Sequence, residues 1–476
     1  MNVEEEIVKS PILAMKFGGT SVGSVDAIQQ SCEIVSSTLK DWPRTVVVLS
    51  ALSGVTNQLL EGAARATEGD VTAAMAVSEQ LRSRHHATAD GLLEDLSDLA
   101  EFKQHCDMLI DEFSNLCGAI SVLGEATPRA LDAVASLGER LSIRLFRLVL
   151  KERGVSAQDI ESTRLILTDS NFQSAHPDWD ATRRQSQQVL IPLLNQGVVP
   201  VVTGFLGANS DGVTTTLGRG GSDYSAAILA AAIRAAEVWI WTDVDGVMTA
   251  DPRIVQGAMT IPRISYLELA ELAYFGAKVL HPKTVRPVLD AGIQLSIRNT
   301  FNPDHSGTRL VPRLEKKDEG GIKAVTAVRG QSLITIEGSG MLGVPGVAAR
   351  AFGAVAGTGT NVILISQASS EQSISFAVPL ASADQVVTAL EGAFESELSN
   401  REIDRIWATG DAVIVTVVGS GMRHTPGVAG KVFSALGEEN VNVIAIAQGS
   451  SEVAISLVVD SPDMELAVRT LHNLVK

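Results

Sequence analysis

The chain has 476 residues, more than one ordinary hydrophobic core takes up, since cores stop growing at roughly 250–300 residues, so two or more domains are expected. Hydrophobic residues make up 45% and charged residues 20%, the balance of a globular protein and not of a disordered or fibrous one. The formal net charge of −17, from 38 basic and 55 acidic residues, would repel a phosphate backbone and argues against nucleic acid as a partner.

Three cysteines, Cys32, Cys106 and Cys117, show no CxxC spacing and read as buried thiols of a reducing compartment. The N-terminal MNVEEEIVKS is acidic where a signal peptide would be basic and then apolar. No apolar run reaches the roughly 18 residues that span a bilayer. The longest candidate, Ala226 to Trp241, is broken by Arg234 and Glu237. A cytoplasmic protein with no membrane partner is expected.

In chain order, Ile12–Phe17 is an apolar strand that runs into Gly18-Gly19-Thr20-Ser21, and Thr45–Leu49 is a second strand ending at Ser50. Continuous apolar strands separated by helical segments indicate a parallel sheet covered on both faces. From about Asn57 to Leu150 the only proline is Pro128 and apolar residues recur at helical spacing, which predicts a long helical region. Strands return at Val198–Thr203 and Val238–Thr242, and a helix is expected over Ser225–Ala236. Ligands in open α/β sheets gather at the carboxyl ends of strands. The pattern therefore sets Lys16, Ser50, Thr203 and Asp243 around one cleft.

Near residue 315 the charged LEKKDEGG reads as a boundary, and an internal repeat follows it. Gly338-Ser-Gly-Met341 returns as Gly419-Ser-Gly-Met422, Pro345-Gly-Val-Ala348 as Pro426-Gly-Val-Ala429, and Gln367 as Gln448, each at an offset of 81 residues. Two copies at so long a period mean a duplicated small domain and not a solenoid. The expected order of strand, glycine loop, helix, strand, strand, helix gives an α+β fold of the ferredoxin-like kind. Ile322–Val328 precedes the first copy as a spare strand that can complete the sheet of either.

Two glycine-rich loops carry chemistry. Lys16-Phe-Gly18-Gly19-Thr-Ser places a lysine at a strand end before free backbone N–H groups, an anion site, although it is not a Walker P-loop. Thr214 to Tyr224 packs glycines beside Arg219 and Asp223. Arg219 can grip a carboxylate, and Asp223 can hold Mg²⁺ or orient Lys16. The alternative is an Asp–Arg pair with Asp223 capping the next helix. Trp241 to Arg253, with three acids and no apolar period, is a functional loop after a strand.

KFGGTSV, SALSGVTN, SLGERLS, TTLGRGGSDYSA, WTDVDGVMTADPR and YFGAKVLHP, in this order, resemble the signature set of aspartate kinases in the amino acid kinase family. The duplicated unit resembles the paired ACT domains of these enzymes, of a threonine-sensitive-like type without a homoserine dehydrogenase domain. The resemblance implies an α/β/α sandwich with a mainly parallel sheet over residues 11–313, followed by ferredoxin-like ACT domains at 330–400 and 405–476. The implied reaction is transfer of the γ-phosphate of MgATP to the side-chain carboxylate of L-aspartate. The product, 4-phospho-L-aspartate, begins lysine, methionine and threonine biosynthesis.

By motif, Lys16 would contact the transferring phosphate and Asp223 would organise the reacting centre. Glu139 would bind the substrate ammonium and Arg219 its α-carboxylate, while Ser50, Thr56 and Ser222 would complete the aspartate and phosphate pockets. Gly18, Gly19, Thr242, Asp243, Arg253 and Lys278 would line the ATP site, with Met248 standing where many relatives have a tyrosine beside the nucleotide. ATP and Mg²⁺ are the implied cofactors, and no residue is assigned as a metal ligand. An amino-acid effector is expected at Gln367 and Gln448, threonine ahead of lysine, because a side-chain amide offers both a donor and an acceptor to a hydroxyl. A homodimer or homotetramer through the ACT domains is also expected.

Gly338-Ser-Gly-Met-Leu-Gly343 matches GxGxxG, but the second copy has His424 in place of the third glycine, so a dinucleotide fold is set aside. Another member of the amino acid kinase family and a non-catalytic amino-acid sensor are the competing readings. SLGER with paired ACT domains favours aspartate over other acceptors, and Lys16, Glu139, Arg219 and Asp223 together speak against a sensor.

Overall fold

The computed structural model describes residues 10–277, 280, 282–312, 321–342, 344–368, 372–423, 425–449 and 451–475. The chain divides into two compact units: Met1–Val247 with Pro262–Ile264 and Leu280–Pro312, and Met248–Ile261 with Ser265–Val279 and Arg313–Lys476. The second unit thus takes two stretches that lie upstream of the boundary read near residue 315.

The first unit begins β1 (Ile12–Phe17), α1 (Val25–Thr38), β2 (Arg44–Leu49), α2 (Val55–Thr67), α3 (Val71–Asp90), α4 (Leu96–Leu123) and α5 (Pro128–Glu152). It continues through β3 (Ala157–Ile160), α6 (Trp179–Asn195), β4 (Val199–Thr203), β5 (Leu206–Ala208), β6 (Thr214–Thr216), α7 (Gly221–Ile233) and β7 (Glu237–Thr242). After β8 (Arg263–Ser265) come α8 (Tyr266–Tyr274), which belongs to the second unit, then α9 (Pro282–Asp290), β9 (Gln294–Asn299) and β10 (Thr308–Val311). The sheet order is β3-β4-β2-β1-β7-β9-β10-β8, and β3, β4, β2, β1, β7 and β9 run parallel. Strand β1 is buried at every residue, as a central strand covered on both faces must be.

The expected helical region is α2 to α5. Asp95 caps α4 by accepting from Ser97 N and Asp98 N, and Thr127 caps α5 ahead of Pro128, both standard start signals. Their apolar faces pack with Phe17 and Trp241 of the sheet around Phe102, Phe113 and Phe146. Cys32, Cys106 and Cys117 are unbridged and buried. Burial pushes all three thiols up, Cys117 to about 11, so they stay protonated. Among the described residues no helix is long and apolar enough to cross a membrane.

The second unit contains β11 (Ala324–Glu337), α10 (Val347–Gly357), β12 (Leu364–Gln367), β13 (Ser373–Pro379), α11 (Ala383–Ala393), α12 (Glu395–Ser399) and β14 (Arg405–Ala408). The second copy follows as β15 (Ala412–Val418), α13 (Val428–Glu438), β16 (Ala445–Gln448), β17 (Ala454–Asp460) and α14 (Met464–His472). Strand β11 is shared. Its first half pairs with β15, Ala324 opposite Val418, while its second half pairs with β13 and with β14. The first copy is therefore closed by its own β14, whereas the second takes its fourth strand from upstream of the first. One copy is inserted within the other.

The two glycine loops meet different neighbours. A Cβ on Gly338 would collide with the backbone at Glu402, and one on Gly419 with Gly321, so glycine is required for the close approach of chain in both. The second loop is held by a carboxylate. Glu268 of α8, fully buried, accepts from Ser265 N and Oγ through Oε2 and from Ser420 N and Oγ, both at 2.7 Å, through Oε1. Lys323 Nζ stands 3.5 Å from Oε1.

Candidate active site

Lys16 lies one residue before the end of β1, opposite Val48 of β2 and Ile240 of β7, and is 8% exposed. A lysine this buried needs a counter-charge. Asp223 supplies it, with Oδ1 2.7 Å from Lys16 Nζ. The chain then turns at Gly18, whose N–H donates to Trp241 O; a side chain there would crowd the ammonium, because its Cβ would sit 3.3 Å from Nζ.

Asp223 comes from the first turn of α7, which begins at Gly221, four residues earlier than the sequence suggests. Gly220 at φ 72° is the residue before it, and no side chain caps the helix. Asp223 is thus an inward-facing partner of Lys16 and not a cap. The uncapped N–H groups and the positive end of the helix dipole face the same region, an arrangement suited to an anion.

Glu139 is 3% exposed on α5, and its Oε2 is buried without a hydrogen-bond partner. Burial pushes its carboxyl up to about 8, opposed by backbone hydrogen bonding, first from Ala51. A carboxyl held this way is poised for a cation. Arg219, exposed, projects from the loop between β6 and α7.

These groups open onto one cavity of about 710 Å³ within the first unit, the size range of small-molecule sites. Lys16, Gly18, Gly19, Ser50, Thr56, Glu139, Arg219, Ser222, Asp223, Thr242 and Asp243 are among the residues that line it. Met248 and Arg253 belong to the second unit, where the exposed Arg253 guanidinium pairs with Asp251 at 2.6 Å. Lys278 lies outside the described residues. Gln367 and Gln448 end the equivalent strands β12 and β16 and are both exposed. Ser366 Oγ donates to Ile446 O, so these two strands lie side by side.

Among the residues of the cavity wall that sequence reasoning missed are Phe205, Asp132 and Gln173. Phe205 holds a positive φ of 68° and packs on Gly221, where a Cβ would meet its ring. Asp132 and Gln173 also line the cavity, and nothing in the helical pattern marks Asp132 from a surface acid.

The model of the amino acid kinase family matches residues 11–299, and an ACT domain model matches residues 334–394 and 415–474. The chain is 37% identical over 465 residues to a bifunctional aspartokinase/homoserine dehydrogenase, chloroplastic, of Daucus carota, covering 96% of this chain and 50% of that one. It thus spans about half the length of such curated relatives. It is 34% identical to the lysine-sensitive aspartokinase 3 of Escherichia coli over 98% of this chain and 99% of that protein. Among solved structures, E. coli aspartokinase III in complex with lysine and aspartate, T-state, is similar at 33% identity and TM-score 0.79, covering 98% of this chain and 100% of that one. The same enzyme with aspartate and ADP, R-state, is similar at 31% identity and TM-score 0.75, covering 97% and 99%.

Proposed function

We propose, since the chain belongs to the amino acid kinase family and within it to the aspartokinases, that it transfers the γ-phosphoryl group of ATP to the side-chain carboxylate of L-aspartate. A carboxylate oxygen attacks the γ-phosphorus, the bond from that phosphorus to the β,γ-bridging oxygen breaks, and ADP leaves with the electron pair. An aspartate side chain ionises near 3.9, so the nucleophile is already charged at neutral pH and no general base is needed. What the protein must supply is positioning and compensation of negative charge.

One observation carries this reading: a buried carboxyl whose Oε2 has no hydrogen-bond partner, Glu139, shares a cavity with the Lys16–Asp223 pair. An amino acid has an ammonium and a carboxylate to recognise. Glu139 would take the first and Arg219 the second, leaving the side chain directed at Lys16 and the first turn of α7. Ser50, Thr56 and Ser222 would complete the acceptor and phosphate pockets, with Gly18, Gly19, Thr242 and Asp243 toward the nucleotide. Met248, Arg253 and Lys278 retain their proposed place at ATP from the motif alone.

Among the described residues no group of three or more His, Cys, Asp or Glu side chains is arranged to hold a metal. Mg²⁺ would arrive with the nucleotide's phosphates, where Asp223 and Asp243, two of the acids that line the cavity, could hold it, and bound there it would neutralise phosphate charge. Release of ADP, coupled to NADH oxidation, should require aspartate and not proceed with glutamate or without an acceptor. Equal rates with glutamate would move the assignment to another acceptor within the family.

Feedback control is proposed through the ACT repeat, with threonine the preferred effector at Gln367 and Gln448. The support is the matched placement of two exposed amides at the ends of equivalent strands of the two copies. A relative of similar length is named lysine-sensitive, so titration with both amino acids separates the effectors. Assembly into a homodimer or homotetramer through these domains is proposed alongside.

A further inference from the structure

Asp132 stands two helical turns before Glu139 on α5, on the same face of the helix, and is 1% exposed. Its carboxylate accepts three donors, two from Thr216 at the end of β6 and one from the turn at Gln173. Thr216 donates both its N–H, at 2.9 Å, and its hydroxyl, at 2.7 Å. Gln173 donates its N–H at 3.0 Å to one oxygen and 3.1 Å to the other. Burial raises the carboxyl, and these hydrogen bonds act in the opposite direction.

Both anchored residues hold up the cavity wall. Gln173 has a φ of 67°, a left-handed conformation that costs a non-glycine residue energy and persists only when neighbours enforce it. Its carbonyl backs onto Gly218, where a Cβ would come within 3.0 Å. Thr216 O also accepts from Ala175 N, so the Gln173 segment and the end of β6 are stitched together beside the same carboxylate. Arg219 follows Thr216 by three residues.

We infer that Asp132 is a positioning residue for recognition of the amino-acid end of the substrate: it clamps the Gln173 turn and the end of β6 at Thr216 so that Arg219 is presented to the cavity that also holds Glu139. The inference rests on the proposed role of Arg219. It predicts a split in kinetic effects, because the Lys16–Asp223 centre receives no hydrogen bond from Asp132 in this network. Asn has one acceptor oxygen where Asp has two, so Asp132→Asn keeps the volume but cannot satisfy all three donors.

The test is steady-state kinetics of Asp132→Asn, Thr216→Val, Arg219→Ala and the double variant Asp132→Asn/Arg219→Ala in the full chain. The KM for aspartate should rise about tenfold in Asp132→Asn and several-fold in Thr216→Val, with the KM for ATP and kcat within about threefold of wild type. The double variant should be no worse than Arg219→Ala alone, since the carboxylate acts through the arginine. If the two effects multiply, or if aspartate KM is unchanged in both Asp132→Asn and Thr216→Val, the clamp is structural only and the inference fails. Thr216→Val alone decides the matter should Asp132→Asn not fold. Loss of aspartate dependence in the wild-type assay, or an unaltered aspartate KM in Arg219→Ala, would instead overturn the functional reading beneath it.

Discussion

Lys16 Nζ and Asp223 Oδ1 stand 2.7 Å apart in a region where the lysine is 8% exposed, joining a strand end to the first turn of a helix more than two hundred residues later. The pair fixes the ammonium without consuming it, because a lysine has three donors. Lys16→Met and Asp223→Asn should each lower kcat by about 10²–10³, the usual cost of losing one contact to charge that develops in the transition state. Wild-type kcat with only a raised KM in either variant would remove that residue from the chemical step.

On the proposed role of Glu139, aspartate binding should depend on pH. Its carboxyl is raised to about 8 by burial, so in the empty site it is protonated at neutral pH and must ionise to meet an ammonium. Affinity for aspartate should therefore increase as pH rises toward about 8, and Glu139→Gln should flatten the profile. The same group affects stability with a defined sign: its folded value lies above the ordinary carboxylate value, so its contribution is full at low pH and is lost as pH rises through about 8. Calorimetry should find Glu139→Gln less sensitive to pH over that range than wild type.

On the proposed roles, Glu139→Ala and Arg219→Ala each remove one partner from a bound zwitterion. Each should raise the KM for aspartate by about 10–100-fold, the worth of a hydrogen bond to a charged group, with nucleotide affinity nearly intact. Isothermal titration with an ATP analogue is the direct check. Collapse of nucleotide affinity to the same degree would put both residues at the other end of the cavity.

Gln367→Ala and Gln448→Ala should each shift the threonine inhibition curve to higher concentration, measured against the variant's own uninhibited rate. A coupling of about 1–3 kcal/mol between effector and active site is typical. Full inhibition by lysine with none by threonine would reverse the effector assignment, and so would unchanged threonine sensitivity in both variants.

Glu268 satisfies four hydroxyl and amide donors in a buried position, with Lys323 beside it. Glu268→Ala leaves these donors without an acceptor and should destabilise the second unit by about 3 kcal/mol or more. Urea unfolding followed at the second unit would register the loss. A midpoint unchanged from wild type would show that water replaces the carboxylate at no cost.

Strand ends and glycine turns were legible in the sequence because their signals are local. The apolar run before Gly18 and the glycines around Arg219 each announce a strand-to-helix turn that needs no knowledge of the rest of the fold. Phe205 was not legible, since its role comes from a left-handed backbone and from the absent side chain of Gly221. Asp132 was hidden for a different reason: its donors lie 41 and 84 residues downstream, and on its own helix it looks like any exposed acid. Met248 and Arg253 directly follow Thr242 and Asp243 in the motif, yet the chain passes into the second unit between Val247 and Met248. Sequence adjacency carries no information about such a crossing.

The shared strand β11 also sets an order of events for a chain made from its N-terminus. Ala324 to Val328 leave the ribosome before the whole of the first ACT repeat, while the strand they pair with, β15, comes after it. Until β15 arrives, those residues are a strand without a partner on that side, the kind of edge that invites pairing with another nascent chain. The first repeat closes on its own β14 in the interval, and the second finishes last. Overexpression should therefore be limited by the wait between these two strands, and slowing synthesis through residues 329–411 lengthens the exposure.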